Sequence, residues 1–390
     1  MTLDKAMSFR ELSHRIHKDL SKEVRQSQGI FFTPLEARLR VFQKLEEYGC
    51  LPETILEPSF GSGEFILDCI EKYPNAKVFG VEYNKNMYDS FVKTGVETTL
   101  VHQDFLTYTG EKVDLIIGNP PYFVVKHKNP ECMVGRGNIF VMFLYKCLKE
   151  HLKENGILAF VLPTSFYNSS YYEPCRKFIE KDYTILHVET LKVDYYETKQ
   201  DTMILMIQHK KSQDKPYILN YKGNTYINPH STELKTLLNG TVSLKELGFQ
   251  VKTGEVVWNQ HKSKLSNQGT LLIYSSNIVN GLLVLNNLKS NEKKQYIKGY
   301  NGTPINGPAI LVTRGYGNKF KFNFVLVDET MTFYGENHVN IILPMSQDAV
   351  ESIPRVMASF QNDKMLKFIE CFVGNGALSK TELEEVVPIF

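Results

Sequence analysis

The chain has 390 residues, 42% hydrophobic and 23% charged, with a formal net charge of +2. That is the composition of a soluble globular protein too long for one ordinary compact core, so two domains are expected. No apolar run approaches the ~18 residues of a membrane span. Met1 to Lys18 lacks the apolar stretch of a signal peptide, and the six scattered cysteines form no Cys-x-x-Cys pair. Membrane insertion, secretion, a disulfide framework and structural zinc are therefore not expected, and a reducing intracellular setting is.

Past a charged N-terminal stretch, Leu35, Ala37, Leu39, Val41, Phe42 and Leu45 predict a helix over 34–48 with Pro34 in its first turn. Strand 54–56, a Gly-rich turn, helix 64–72, strand 77–81, helix 86–93 and strands 98–101 and 113–117 follow. A helix over 139–152, strand 157–162, helix 172–181 and strands 184–189 and 202–208 complete the series. Alternating strands and helices predict an α/β, doubly wound, mostly parallel sheet. In such sheets a ligand sits beyond the carboxyl ends of the strands. After Lys211 the texture turns to Gly, Asn, Ser and Lys with short β runs at 271–274 and 309–312, so residues 215–390 read as a separate domain. The expected division is an N-terminal helical extension over 1–28, an α/β domain over 29–211 and a mixed α+β domain over 215–390.

The predicted strand ends carry chemistry. The first runs into Glu57-Pro58-Ser59-Phe60-Gly61-Ser62-Gly63, where Gly61 and Gly63 let the backbone turn tightly and approach a ligand. The full Gly-x-Gly-x-x-Gly pyrophosphate fingerprint is missing, which favours a nucleoside without phosphates. Glu82 closes the second strand at the position where an acid binds ribose hydroxyls. Asp104 ends the next strand, placed to accept from an adenine amine while Phe105 packs on the ring.

The fourth strand ends in Asn119-Pro120-Pro121-Tyr122. Neither proline has an N–H, so the stretch offers carbonyls and withholds donors. The Asn119 side-chain oxygen and the Pro120 carbonyl can accept both hydrogens of one exocyclic amine, with Tyr122 stacked on the ring that carries it.

The small net charge hides an asymmetry. Residues 205–325 hold 16 Lys and Arg against 5 Asp and Glu, a local charge of +11, and residues 326–390 hold 4 against 10, or −6. A basic block in a near-neutral chain is the footprint of a nucleic-acid surface or a solvated lysine-rich face.

With these motifs in order over residues 29 to 208, the sequence resembles the γ-class (TaqI-like) S-adenosylmethionine-dependent DNA adenine-N6 methyltransferases. Phe31-Phe32-Thr33-Pro34 is similar to their N-terminal cofactor motif, and Asn138 to Leu144 to the helix whose aromatic residue, here Phe143, packs on the cofactor adenine. The resemblance implies a Rossmann-like catalytic domain that binds S-adenosylmethionine through Thr33, Glu57, Ser59, Gly61, Gly63, Glu82, Asp104, Phe105, Asn119 and Phe143. Asn119, Pro120 and Tyr122 would form the catalytic clamp, with Tyr195 or Tyr196 as the second aromatic against the flipped base; spacing favours Tyr195. No metal is implied.

The resemblance also makes the C-terminal domain a target-recognition domain for double-stranded DNA. Val251 to Gly254, Trp258 to Lys262 and Gly374 to Ser379 are its short matches. Lys252, Lys262, Lys264, Lys289, Lys293, Lys294, Lys298 and Arg314 are the candidate phosphate contacts. Trp258 reads as a packing residue rather than a stacking wedge. A monomer is expected, with a separate restriction endonuclease as a candidate partner. Protein-glutamine and guanine-N2 RNA methylation would use the same clamp but have no need of a long basic domain. A non-catalytic DNA-binding subunit would not need the three acids and Asn119.

Overall fold

The computed structural model describes residues 9–126, 129–193, 201–315, 320–373 and 377–390. Its largest sheet has seven strands: β1 (Thr54–Glu57), β2 (Lys77–Glu82), β3 (Thr99–His102), β4 (Val113–Gly118), β5 (Leu152–Pro163), β6 (Thr184–Leu191) and β7 (Thr202–Gln208). Their order is β3-β2-β1-β4-β5-β7-β6. The first five run parallel, and β7 lies antiparallel to both β5 and β6.

Strict alternation sends Leu158, Phe160 and Leu162 of β5 to one face and Ile157, Ala159 and Val161 to the other, and both faces are buried. That two-sided burial explains the unbroken apolar runs of β4, β5 and β7. Helices α1 (Glu11–Asp19), α2 (Lys22–Gln28), α3 (Leu35–Glu47), α4 (Glu64–Lys72), α5 (Lys85–Val92), α6 (Ile139–Lys146) and α7 (Glu173–Asp182) accompany the sheet. Those of α3 and α4 bury Ala37, Val41, Phe42, Phe65, Ile66 and Cys69 on one face, while α6 and α7 bury Phe140, Val141, Leu144, Cys175 and Ile179 on the other. This is the doubly wound α/β arrangement expected. Its strand order reverses between β1 and β4, where such sheets open a crevice at the strand carboxyl ends.

Three expectations are corrected. The helix expected over 139–152 stops at Lys146, gives way to a wider i→i+5 turn over Cys147–His151, and β5 begins at Leu152. Cys147 and Leu148 stay buried through the change, so the apolar period gives no sign of it. The domain boundary also moves: the first compact unit runs through Asn220 and takes Asn224–Ser231 as well. Strands β8 (Ile218–Tyr221) and β9 (Asn224–Ile227) bury Ile218, Leu219, Tyr226 and Ile227, and Arg176 donates from Nε to Thr225 O at 2.5 Å. A short apolar hairpin behind a polar linker looked like the start of something new and is instead the end of the first core.

The residues expected as a separate N-terminal extension belong to this unit too. Arg10 donates to Glu64 Oε2 (2.9 Å) and Asp68 Oδ1 (2.6 Å). The buried Arg38 reaches the same two carboxylates. Ser13 Oγ donates to Glu64 Oε1 at 2.5 Å. Buried carboxylates are stable only when paired, and here α1 and α3 pair them at the start of α4.

Gly63 precedes α4 with φ +78, and a Cβ there would sit 2.0 Å from the ring of Phe91, itself wholly buried. The glycine is needed for packing and backbone hand rather than for approach to a ligand. Gly63→Ala should cost about 2–4 kcal/mol, from the left-handed backbone and the overpacking together. Urea denaturation would read this as a lower midpoint at unchanged slope; a change below about 0.5 kcal/mol would contradict it.

The second unit comprises residues 221–223 and 232–390. One sheet orders Phe249–Thr253, Val339–Pro344, Ala309–Thr313 and Phe324–Val327, all antiparallel. A mixed sheet of five shorter strands is built on Thr270–Ile273 and Thr332–Gly335, and helices at 347–385 follow, an α+β unit.

Candidate active site

The reversal between β1 and β4 opens into a cavity of about 430 Å³. It is lined by Thr33, Glu57, Ser59, Gly61, Glu82, Asp104, Phe105, Asn119 and Phe143, all expected from the sequence, and Gly63 is not among its walls. Each expected wall residue except Thr33, which precedes the helix Leu35–Glu47, arrives from a strand end or the helix after it.

Glu82, at the end of β2, holds the Gly61 N–H at 2.8 Å and the Asn84 N–H at 2.6 Å. One carboxylate thereby fixes the Gly-rich turn and the next loop. Burial raises its pKa, and those backbone donors oppose the rise. Asp104 caps the short turn that follows β3 through the Leu106 N–H (2.9 Å). Phe105 lies behind it with its ring 5.0 Å from that of Phe143 on α6, so the two form one aromatic wall.

Glu57 is the telling residue. It is buried, and its Oε2 has no hydrogen-bond partner. Burial first, then the charges of Glu82 and Asp68, push its pKa well above the ordinary carboxylate value. A buried acceptor with no partner in an acid-lined, aromatic-walled cavity fits a nucleoside ligand that carries positive charge.

A cation bound beside Glu57 favours its carboxylate, so binding should release a proton and tighten as pH rises above the ordinary carboxylate range toward the raised pKa. The ligand-free fold follows the opposite sign: Glu57 contributes stability in full below its unfolded pKa and loses it as pH climbs. Titration calorimetry in buffers of different ionisation enthalpy would detect the released proton, and Glu57→Gln should abolish it. Binding without proton exchange in the wild type would contradict the assignment.

The Asn-Pro-Pro-Tyr turn follows β4. Asn119 Nδ2 donates to Phe31 O (3.2 Å) and Thr33 Oγ1 (3.0 Å). A carbonyl can only accept, so this contact fixes which way the amide faces. The Tyr122 hydroxyl lies between Asn119 Oδ1 and Val161 O, the latter at 2.7 Å. An amide oxygen has two lone pairs, and Oδ1 keeps one for another donor. Pro120 is buried beside Asn119.

Tyr122 does not face the cavity: it is buried, with the Phe31 ring over it at 5.8 Å and 30° and Phe140 at its edge. Tyr195 and Tyr196 lie outside the described residues.

Reading the sequence missed the wall contributed by Ser27, Gln28, Gly29 and Ile30. Gly29 has φ +62, accepts from the Tyr122 N–H at 3.4 Å, and leaves only 2.6 Å between a Cβ and Tyr122 N. Gln28 Oε1 accepts from Asn84 Nδ2 at 2.7 Å. A glycine just before an aromatic pair was the available signal.

In the second unit the candidate lysines divide. Lys262 is paired with Glu292 at 2.9 Å, and Lys264 lies 5.8 Å from the Tyr300 ring centre. Lys293 sits 4.5 Å from the Tyr274 ring centre and 5.1 Å from that of Trp258, and burial lowers its pKa. These three are engaged within the unit, and Trp258 is half-buried in its core. Lys252, Lys289, Lys294 and Lys298 are exposed and Arg314 is half-buried. None of these five has an ion-pair partner among the described residues.

Fold and cavity together define a Rossmann-like, S-adenosylmethionine-dependent methyltransferase. Residues 40–197 match the model of the Eco57I restriction-modification methylase family. Type II methyltransferase M.CvrRI of Paramecium bursaria Chlorella virus XZ-6E is 31% identical over 98% of this chain and 99% of its own. Modification methylase CviBIII of Paramecium bursaria Chlorella virus NC1A is 34% identical over the same shares. Type II methyltransferase M.AccI of Acinetobacter calcoaceticus is 26% identical over 68% of this chain and 53% of its own. The chain belongs to the restriction-modification methylases, and S-adenosylmethionine is its methyl donor. No helix among the described residues is long and apolar enough to cross a membrane.

Proposed function

We propose that the protein methylates the N6 amine of an adenine flipped out of duplex DNA. The observation that carries this reading is the Asn119-Pro120-Pro121-Tyr122 turn at the end of β4, with Asn119 in the wall of the donor cavity. S-adenosylmethionine, when bound, supplies an electrophilic methyl on sulfur. Glu82 would take the ribose hydroxyls, Asp104 the adenine amine, Phe105 and Phe143 the adenine ring, and Glu57 the positively charged end.

Asn119 Oδ1 and the Pro120 carbonyl accept the two N–H bonds of the target amine. Its lone pair is delocalised into the base, and the two acceptors favour a pyramidal nitrogen that can attack. They also stabilise the positive charge that develops there, so the chemistry is positioning plus electrostatics. The cysteines do not enter: burial raises the pKa of Cys69, Cys132, Cys147 and Cys175, none of which is among the cavity walls.

A base inside a duplex is out of reach, so it must be extruded. It would stack on Tyr122 in the place Phe31 takes here, with Tyr195 or Tyr196 on its other side. The second unit would act as the target-recognition domain, with Lys252, Lys289, Lys294, Lys298 and Arg314 contacting phosphates. Lys262, Lys264 and Lys293 would hold the loops of that surface through the Glu292 pair and the Tyr300, Tyr274 and Trp258 rings.

Modification-sensitive sequencing of DNA from cells expressing the chain tests substrate and site together. A single short motif carrying N6-methyladenine is the expected result. Unmodified DNA from cells that contain active protein would overturn it.

A further inference from the structure

The second unit carries a two-strand hairpin, Ile278–Val279 paired with Leu282–Leu283. Its turn, Asn280-Gly281, has φ +48 and +82, the mirror-image two-residue turn that matches strand twist. Ile278 is buried and Leu283 packs against the core. By alternation Leu282 points away, and it is 66% exposed; Val284 and Leu285 are each 41% exposed.

The base of this hairpin is held rigidly. Asn277 Nδ2 donates to Val284 O (2.9 Å), and the Val284 N–H donates to Asn277 O (2.7 Å). Ser276 and Asn287 exchange bonds of 2.6 Å in both directions. The Asn286 N–H donates at 2.6 Å to the buried Gln295 side chain.

Single exposed aliphatics need no explanation, but one at the tip of a preorganised hairpin and two more at its base do. Charge narrows what covers them. From Val256 to Tyr300 there are six lysines against one acid, Glu292, which Lys262 pairs, so the stretch stays basic. A second copy would set like charge against like, while a polyanion would be attracted.

Resting on the reading above, we infer that the 278–285 hairpin inserts Leu282 into the base stack of the DNA substrate and stabilises the duplex with its target base removed. Aliphatic wedges between base steps are a recognised way to offset lost stacking. Leu282 acts on the equilibrium between stacked and extruded base, not on phosphate attraction.

The test uses full-length protein and a duplex carrying the mapped site. It is compared with the same duplex in which the nucleotide opposite the target base is abasic, so that little pairing remains to be broken. Leu282→Ala should methylate the paired duplex about tenfold more slowly, and the abasic duplex within about threefold of wild type. Leu282→Met, which keeps the apolar volume, should stay close to wild type on both. The salt dependence of binding should be unchanged, because no charge is removed.

An equal loss on both duplexes, or no loss on either, would overturn the inference. So would sedimentation showing that Leu282→Ala dissociates a dimer. Failure of the wild type to methylate the paired duplex would instead count against the proposed function.

Discussion

Asn119→Ala should reduce the methyl-transfer rate constant roughly 10²- to 10³-fold, the usual cost of losing one preorganised group that stabilises transition-state charge. Cofactor affinity should change by no more than about threefold, since the acceptor that is lost serves the target amine and the charge that develops on it. The geometry makes the residue hard to replace. Its Nδ2 is committed to Phe31 O and Thr33 Oγ1, and this commitment turns Oδ1 toward Tyr122 and the site. Alanine removes the acceptor and the bonds that aimed it. Single-turnover transfer of a tritiated methyl group, beside equilibrium binding of the cofactor, separates the two effects. Wild-type turnover by the variant would refute the role.

Glu82→Ala should act on the opposite quantity. It leaves the Gly61 and Asn84 N–H groups, now 2.8 and 2.6 Å from the carboxylate, without their acceptor. An unsatisfied buried donor costs about 1–3 kcal/mol. Cofactor KM should therefore rise about ten- to a hundredfold, while kcat at saturating cofactor stays within about threefold of wild type. Glu82→Gln, which keeps an acceptor oxygen, should fall between the two. A variant with unchanged KM and reduced kcat would move Glu82 from ligand binding to chemistry.

Glu82 and Asn119 both stand at strand ends. A strand end in a doubly wound sheet is a place where side chains face a ligand, and β1, β2, β3 and β4 were each locatable by apolar runs and a following turn. Helix α4 and strand β7 were legible at their observed bounds for the same reason: strong periodicity between clear stops. What the sequence hid is what depends on partners far along the chain. Arg10 and Ser13 look like surface residues until Glu64 and Asp68 lie against them, 51 to 58 positions later. The Ser27–Ile30 wall has no motif of its own beyond Gly29. The β8–β9 hairpin looked like a new domain because a polar linker precedes it, and only the buried Ile218 and Ile227 assign it to the first core. Charge counts marked the basic block. They did not separate Lys293, held over two aromatic rings, from Lys294, which is exposed.

The central claim is that the acceptors at Asn119 and Pro120 serve an adenine amine in DNA. Cytosine N4 would satisfy the same two bonds, so the product decides. The direct measurement is to incubate the purified full chain with tritiated S-adenosylmethionine and unmethylated duplex DNA, digest to nucleosides, and separate the labelled product. The expected result is label in N6-methyl-2′-deoxyadenosine alone, and none with Asn119→Ala. Label in N4-methylcytosine, or label taken up by RNA or a glutamine peptide and not by the duplex, would contradict it.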